Sequence, residues 1–322
     1  MEAALSSGVR MSGIDDQDSV KVIMLGSGPG FDRVLAALSR AAGIHVVAAW
    51  NGDDTGDSPT ESRLEGVHWL SSLDEVASHD ADLCFACEYH RLLPADFVQT
   101  HTVLNSHGGL LPKYRGFHGL GWAFINGEAE LGYTIHRVDS TLDDGPIIYQ
   151  GRFPIRDGAT FSEFKAQLLD DLVEKLPYVL RAYVDGELPE MPQDIRQATF
   201  VGRRHLRDCF IDWTRSSVQI ERFVRALSPP AAPGAFTVFR DEKLVILSTE
   251  LYPTEPYDEI PGHVVYRLED RGALVKTGDG VLLVKDVEYR GESVRALDLF
   301  PRPGFRLGID LVEERLRSLG IV

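Results

Sequence analysis

The chain begins its ordered sequence pattern with a buried strand, a glycine-rich turn, a helix and a second buried strand. Residues 20–25 are apolar, glycines follow at 26, 28 and 30, residues 32–42 have helical periodicity, and residues 45–50 are again apolar. Two buried strands joined by a helix form a β-α-β unit, which requires a sheet of parallel strands covered by helices. We therefore predict an α/β fold of the Rossmann type with a parallel-rich sheet.

The rest of the chain divides into a continuation of this pattern and a second, different pattern. Further elements of the first kind are a short helix at 73–77, strands at 81–87, 103–106 and 134–138, and a long helix at 161–184. After residue 193 come a predicted helix at 211–227 and five short strands at 235–239, 243–247, 262–266, 273–277 and 281–287. Short strands separated by turn residues predict a small β-barrel. We predict a disordered tail at 1–19, an α/β domain at 20–199 and a β domain at 200–322.

The charge of the chain is strongly negative and unevenly placed. The formal net charge of the 322 residues is −16. Residues 1–198 contain 15 Lys and Arg against 30 Asp and Glu, whereas residues 199–322 contain 18 against 19. Proteins that hold a long phosphate backbone usually have a basic face, so this distribution disfavours a nucleic-acid partner. An acidic first domain would instead attract a small cationic amine.

The sequence also predicts a cytoplasmic protein without a membrane segment. No apolar run reaches the ~18 residues that a membrane helix needs. The first eighteen residues are polar and acidic, unlike a secretory signal. Three cysteines cannot all pair within one chain, which is typical of a reducing compartment.

Two short motifs have an ordinary structural explanation beside a functional one. The glycine turn 26–30 stands where a dinucleotide-binding fingerprint would stand, but it lacks the third glycine at the fingerprint's spacing, so a tight β-α turn is favoured. Whether an anion binds there is left open. Cys84 and Cys87 have redox spacing but lie in a predicted strand, so we expect two small buried thiols. The histidines show no paired zinc spacing, and we predict no metal site.

The stretch from Asn105 to Gly145 contains the residues that indicate chemistry. Asn105 and His107 lie two apart at the end of a predicted strand and point to the same side. Asp143 follows a later strand and could converge on them. An amide that stabilises an oxyanion, an imidazole that moves a proton and a carboxylate that tunes it are suited to acyl transfer. No nucleophilic Ser or Cys accompanies them, so the transfer would be direct; from spacing alone, a purely structural Asn/His pair is equally consistent.

This stretch resembles the folate-dependent formyltransferases, a family that includes methionyl-tRNA, glycinamide-ribonucleotide and amino-sugar formyltransferases. The family pattern Asn-x-His-x-Ser-Leu-Leu-Pro, Arg-Gly and Asp-x-Gly stands here as Asn105, His107, residues 110–112, residues 115–116 and residues 143–145. Segments of the second half are similar to the family's C-terminal barrel: 211–213, 224–227, 233–236 and 277–280. The resemblance covers residues 20–310 and implies that the β domain is OB-like.

The resemblance implies an activity, a cosubstrate and site residues. The activity is N-formyl transfer from 10-formyltetrahydrofolate to a primary amine. The catalytic residues implied are Asn105, His107 and Asp143, with Asp143 rather than Asp144 at the family position. The residues implied to contact the folate lie on two loops: Arg91, Leu92 and Leu93 on the first, and Asp139, Ser140, Thr141 and Leu142 on the second.

The acceptor amine is left open by the sequence. Gly109 replaces the family's Ser, Pro146 follows the Asp-x-Gly motif, and the acidic segment 51–65 lacks the basic insertion typical of tRNA-acting members. We therefore expect a small amine, either a nucleotide-linked amino sugar or a hydroxyornithine-type siderophore precursor. The alternatives are charged initiator tRNA and, from another class, an inactive OB-containing interaction protein. Arg115, Trp122 and Tyr133 are candidate acceptor-pocket residues with packing as the alternative, and a homodimer is one of the oligomeric states left open.

Overall fold

A computed structural model describes residues 19–52, 64, 66–253, 257–308, 316 and 319–321. The predicted tail at 1–19 lies, except for its last residue, outside the described residues. The acidic segment 51–65 lies largely outside them as well. The described chain forms two compact units that are not contiguous in sequence. The first comprises the described residues within Met1–Arg115, Gly132–Arg152 and Leu168–Phe200, and the second comprises those within Gly116–Leu131, Phe153–Gln167 and Val201–Val322.

The elements up to residue 201 follow the predicted alternation of strands and helices. The strands are β1 Val20–Gly26, β2 Ile44–Trp50, β3 His68–Trp69, β4 Leu83–Cys87, β5 Val103–His107, β6 Arg115–Gly116, β7 Glu130–Arg137, β8 Ile147–Pro154 and β9 Phe200–Val201. The helices are α1 Pro29–Leu38, α2 Ala95–Thr100, α3 Gly119–Asn126 and α4 Phe161–Val184, and a 3₁₀ helix spans Leu73–Ser78. The prediction of a long helix at 161–184 is confirmed, with Pro177 inside it.

The first unit is built on a seven-stranded sheet with the order β3-β2-β1-β4-β5-β7-β8. Strands β3, β2, β1, β4 and β5 run parallel, and β7 is antiparallel to β5. The parallel-rich α/β sheet predicted from the first β-α-β unit is thus confirmed. The two central parallel strands, β1 and β4, are buried along nearly their whole length, which explains their continuous apolar runs.

The register between β5 and β7 decides which side chains meet in the first unit. Asn105 lies opposite His136, and His107 lies opposite Thr134. Because side chains alternate along a strand, these four residues lie on one face of the sheet. This face is the floor of the site described below.

The second unit contains an antiparallel sheet and one amphipathic helix beside it. Its elements are α5 Ser217–Ala226, β10 Ala235–Phe239, β11 Glu242–Leu251, β12 Val264–Leu268, β13 Gly272–Lys276, β14 Val281–Tyr289, β15 Glu292–Arg295 and α6 Ala296–Leu299. The strand order is β10-β11-β14-β13-β12, with β15 paired to β14. A cluster that includes Ile211, Trp213, Ile220, Phe239 and Phe300 forms its core. The five predicted short strands are confirmed, their pairing is antiparallel, and β15 is a sixth strand that was not predicted.

The predicted helix at 211–227 is wrong in its first third. Helix α5 begins only at Ser217. The Asp212 carboxylate accepts hydrogen bonds from the backbone N–H and the hydroxyl of Thr214, which folds the chain into a turn instead. Ser216 and Gln219 then form a capping box that fixes the first turn of the helix.

The three cysteines lie in the described part of the chain, and each is a free, buried thiol. The prediction of small buried cysteines at 84 and 87 is confirmed. Across the described residues, no helix combines the length and the apolar character needed to cross a membrane.

Candidate active site

The floor of the site consists of side chains from two neighbouring strands. β5 contributes Asn105, which is half-buried, and His107, which is buried. β7 contributes Thr134 and His136, both buried, from the facing positions. The alternation within β5 and the register with β7 together place an amide and two imidazoles on one face.

Asp143 faces both imidazoles from the loop between β7 and β8. Its carboxylate Oδ2 lies 3.4 Å from His107 Nδ1, and its Oδ1 lies 3.6 Å from His136 Nε2. The side chain of Asp143 is 11% exposed. Its backbone has φ = 51°, a left-handed conformation that Asp tolerates better than most residues. The structure thus brings Asn105, His107 and Asp143 into one cluster, with His136 as a fourth member.

The hydrogen bonds of His107 fix where its proton sits. His107 Nε2 lies 2.9 Å from the backbone carbonyl oxygen of Tyr114. A carbonyl oxygen only accepts, so Nε2 carries the hydrogen and the neutral ring presents a bare Nδ1 to Asp143. Burial lowers the pKa of the His107 imidazole, and the nearby Asp143 carboxylate opposes this shift without reversing it. The bare Nδ1 of the neutral imidazole and the Asp143 carboxylate oxygen therefore face each other, and the two can accept one proton between them. The carboxylate raises the pKa of the imidazole, as expected from the sequence, but burial lowers that pKa by more.

His136 connects the carboxylate to the amide. Its Nε2 lies 3.1 Å from Asn105 Nδ2, and its Nδ1 lies 2.9 Å from the backbone oxygen of Arg137. The ring is 2% exposed. Residue spacing does not indicate His136, because the strand register that pairs it with Asn105 cannot be read from the sequence.

A buried arginine and a glutamine hold the loop that carries Asp143. The Arg115 guanidinium, 1% exposed, lies 2.5 Å from the Asp144 carboxylate and donates to the Gln193 side-chain oxygen. Gln193 Nε2 donates 2.8 Å hydrogen bonds to the backbone oxygens of Asp143 and Gly145. A Cβ on Gly145 would lie 1.9 Å from the Arg137 carbonyl oxygen, so only glycine fits there.

The seven residues predicted to contact the folate lie on two surface loops of the first unit. Arg91 and Leu92 are exposed, Leu92 by 77%, and Leu93 packs on the sheet core. Asp139, Ser140, Thr141 and Leu142 are exposed, and the Asp139 carboxylate accepts a hydrogen bond from the Thr141 N–H. Val138, just before the second loop, packs on the same core cluster as Leu93. Exposed leucines on two loops anchored in one core are compatible with an aromatic ligand such as the folate ring, and the folate role of these residues stays a prediction.

The glycine turn before α1 binds a carboxylate of the protein itself, that of Glu88. The backbone N–H of Gly30 donates a 2.9 Å hydrogen bond to the Glu88 carboxylate. A Cβ on Gly30 would lie 2.6 Å from the Glu88 Cδ. The helix N-terminus, which favours negative charge, is thus satisfied by a side chain from the end of β4.

The three candidate acceptor-pocket residues have packing roles in the structure. Arg115 is buried in the Asp143 loop network, and Tyr133 is buried with its hydroxyl donating to Asp171 at 2.7 Å. In the second unit, Trp122 donates to the Gly202 carbonyl and lies beneath the Arg204 guanidinium. Among the described residues, no group of three or more His, Cys, Asp or Glu could hold a metal ion.

Comparison with known proteins identifies relatives over most of the chain. The family described as formyl transferase matches residues 58–180, and the formyl transferase C-terminal domain matches residues 205–302. A methionyl-tRNA formyltransferase from Synechococcus sp. (strain JA-2-3B'a(2-13)) is 33% identical over 230 residues, which are 69% of each protein. A methionyl-tRNA formyltransferase from Fusobacterium nucleatum is 29% identical over 250 residues, covering 77% of this chain and 76% of that protein.

Solved structures with a similar fold include sugar formyltransferases. WlaRD, described as a sugar 3N-formyl transferase, is 20% identical with a TM-score of 0.60 and covers 82% of this chain and 96% of its own. HypX from Aquifex aeolicus, solved with tetrahydrofolic acid, is 20% identical with a TM-score of 0.59 and covers 86% of this chain. Only 46% of HypX is matched, so the present chain spans about half its length.

Proposed function

The chain belongs to the folate-dependent formyltransferase family, and from this premise we propose that it formylates the primary amine of a small molecule. The formyl donor is 10-formyltetrahydrofolate, whose formyl group passes from N10 to the amine nitrogen. The observation that carries the proposal is the largely buried cluster of Asn105, His107 and Asp143, in a stretch of the chain with twice as many acidic as basic side chains. We propose a nucleotide-linked amino sugar or a hydroxyornithine-type molecule as the acceptor and the cytoplasm as the compartment.

Asn105 supplies the hydrogen-bond donor for the developing oxyanion. As the amine attacks the formyl carbon, negative charge grows on the formyl oxygen. A half-buried amide N–H stabilises that charge more strongly than water would, because it is already oriented and lies in a region of low dielectric. Loss of such a donor typically costs ~10²–10³-fold in kcat.

The His107–Asp143 pair handles the proton of the attacking amine. When the new C–N bond forms, the amine nitrogen must lose a proton. The bare Nδ1 of His107 and the Asp143 oxygen 3.4 Å away accept this proton between them. The proton then passes to N10 as the bond between N10 and the formyl carbon breaks, so that tetrahydrofolate leaves neutral at N10. Such proton transfer contributes typically ~10²–10⁴-fold to the rate.

Charge favours a small amine over a nucleic acid. The first 198 residues hold twice as many acidic as basic side chains. A tRNA carries a phosphate at every nucleotide and would be repelled by such a domain. The second candidate function, methionyl-tRNA formylation, is supported by the similarity of 33% to a methionyl-tRNA formyltransferase.

The test is a formyl-transfer assay that follows release of tetrahydrofolate from 10-formyltetrahydrofolate. The acceptors are a panel of nucleotide-linked amino sugars, hydroxyornithine and charged initiator tRNA. We expect turnover with one small amine. Turnover with charged tRNA alone would replace the proposal by its second candidate.

Variants assign the roles of the three residues. Asn105→Ala, His107→Asn and Asp143→Asn should keep the fold, bind 5-formyltetrahydrofolate and lose turnover by the factors given above. The matched control is Asp185→Asn, which changes an exposed carboxylate at the end of α4 and should leave turnover unchanged. Retained turnover in both His107→Asn and Asp143→Asn would contradict the assigned proton path.

A further inference from the structure

His136 is the member of the cluster to which the proposed reaction gives no task. It is buried, lies opposite Asn105 in the register of β5 and β7, and contacts Asn105 through its Nε2. An imidazole can donate or accept at each nitrogen, depending on its tautomer. The contacts of the two ring nitrogens decide which of these applies here.

The Arg137 carbonyl determines the tautomer of His136. This carbonyl oxygen lies 2.9 Å from His136 Nδ1 and can only accept a hydrogen bond. Nδ1 must therefore carry the hydrogen. In the neutral ring, Nε2 is then bare and acts as an acceptor. The Asp143 Oδ1 lies 3.6 Å from this nitrogen, beyond hydrogen-bond distance, so the Asn105 amide at 3.1 Å is the group that bonds it.

The tautomer of His136 in turn determines the orientation of the Asn105 amide. A bare Nε2 at 3.1 Å requires a donor, so the amide must turn its NH₂ group toward His136. The reverse orientation would bring the amide oxygen against the lone pair of Nε2 and leave both groups unsatisfied in a largely buried place. One hydrogen of the NH₂ group is used by His136, and the second projects from the same nitrogen.

We propose that His136 is a positioning residue that holds the Asn105 amide with its NH₂ group toward the reacting formyl oxygen. The proposal rests on the role of Asn105 in the proposed function. Without His136, the amide could rotate by 180° and present an oxygen to the developing oxyanion. The carbonyl of Arg137, the ring of His136 and the amide of Asn105 form one chain of hydrogen bonds with a defined direction.

The tautomer can be measured without any acceptor. In a long-range ¹H–¹⁵N spectrum of the full chain labelled at histidine, a bare ring nitrogen and a ring N–H have widely separated shifts. His136→Leu removes one set of signals and so assigns it. We expect the neutral Nδ1–H tautomer for His136. A neutral Nε2–H tautomer would overturn the proposal, since Nε2 would then donate and the amide would have to present its oxygen.

Kinetics with the acceptor that turns over provide the second test. His136→Leu should lower kcat, by up to the ~10²–10³-fold that loss of an oxyanion donor costs, with KM and 5-formyltetrahydrofolate binding little changed. His136→Gln offers a side-chain oxygen to Asn105 and should recover part of the lost kcat. A kcat for His136→Gln as low as that of His136→Leu would contradict a positioning role.

The double variant separates this inference from the proposed function. If His136 acts through Asn105, adding His136→Leu to Asn105→Ala should cause no further loss of kcat. Additive losses would show an independent or merely structural role. Full turnover in Asn105→Ala itself would instead refute the proposed role of Asn105, whatever His136 does.

Discussion

The side-chain amide of Gln193 donates a hydrogen bond of 2.8 Å to the backbone oxygen of Asp143, fifty residues earlier in the chain. The same NH₂ group bonds the Gly145 oxygen, and the Gln193 oxygen accepts from the buried Arg115 guanidinium. One side chain thus ties the loop that presents the catalytic carboxylate to a buried cation. Asp143 has a left-handed backbone and lies in the loop between β7 and β8, where this hydrogen bond fixes its carbonyl group.

We predict that Gln193→Leu lowers both stability and kcat. Leaving buried hydrogen-bonding groups without partners costs ~1–3 kcal/mol, which urea denaturation measures. Gln193→Glu keeps an acceptor for Arg115 but loses the donors to both carbonyls, so it should also lower kcat. Gln197→Leu is the control, because Gln197 is exposed and its side chain donates to the Asp194 carboxylate. Unchanged kcat in both Gln193 variants would show that the loop holds its shape without this contact.

The pH dependence of turnover should report the His107–Asp143 pair. Burial lowers the pKa of His107 below its usual 6.5, so the pair becomes occupied by a proton only as the pH falls below 6.5. Turnover should therefore fall as the pH decreases below 6.5. The Asp143 carboxylate raises the pKa of His107 against the larger effect of burial, so Asp143→Asn should move the acid limb of kcat/KM to lower pH while lowering the plateau. Ionisation of the acceptor amine affects both enzymes equally and cancels in the comparison; an acid limb that moves to higher pH would contradict the interpretation.

Folding stability should depend on pH in the same direction. Because the folded state lowers the pKa of His107, the unfolded chain binds more protons than the folded chain as the pH falls below 6.5. Stability is therefore greatest above 6.5 and declines as the pH falls toward the lowered pKa. Urea denaturation across this range should show a smaller decline for His107→Asn than for the wild type. Equal declines would mean that other groups account for the acid sensitivity.

The contact between Gly30 and Glu88 can be tested by a double-mutant cycle. Gly30→Ala places a methyl group 2.6 Å from the Glu88 Cδ, so the carboxylate must leave the N-terminus of α1. We expect a loss of ~1 kcal/mol, the usual value of a charge at a helix end. In a Glu88→Ala background the methyl group meets no carboxylate, and the same substitution should cost less. Equal costs in both backgrounds, measured by urea denaturation, would contradict the contact.

The thiol of Cys84 should be unreactive in the folded protein. Burial raises the pKa of Cys84 to about 12, so the thiolate is scarce at neutral pH and the side chain is inaccessible. A thiol reagent followed by peptide mass analysis should label Cys84 only in denaturant. Rapid labelling of the native chain would revive the redox interpretation of its spacing with Cys87.

The sequence was sufficient for the local features and for the family. Continuous apolar runs predicted the parallel strands, because a strand buried on both faces is apolar at successive positions. The Asn-x-His spacing placed two side chains on one face of β5, and Asp143, which was expected to converge on them, lies beside His107 in the structure.

The sequence was insufficient where long-range geometry decides. His136 reaches the cluster because the register of β5 and β7 places it opposite Asn105. Gln193 reaches it through a contact with Asp143, fifty residues earlier in the chain. Neither contact produces a recognisable residue spacing in the sequence. The helix predicted at 211–227 failed for the opposite reason, since a local Asp212 hydrogen bond overrode an apolar periodicity. The segments Gly116–Leu131 and Phe153–Gln167 join the second unit, which no compositional shift indicates.

The pairing of Asn105 with His136 has a consequence for how such chains can vary in length. A single residue inserted or deleted within β7 after Gly132 would turn His136 to the opposite face of the sheet and bring a neighbour to Asn105. The site would then lose an imidazole without the substitution of any residue in it. We therefore expect insertions and deletions among related chains to lie in the connections before and after these two strands. An alignment without gaps across residues 103–107 and 134–137 is then a stricter criterion for shared chemistry than overall sequence identity.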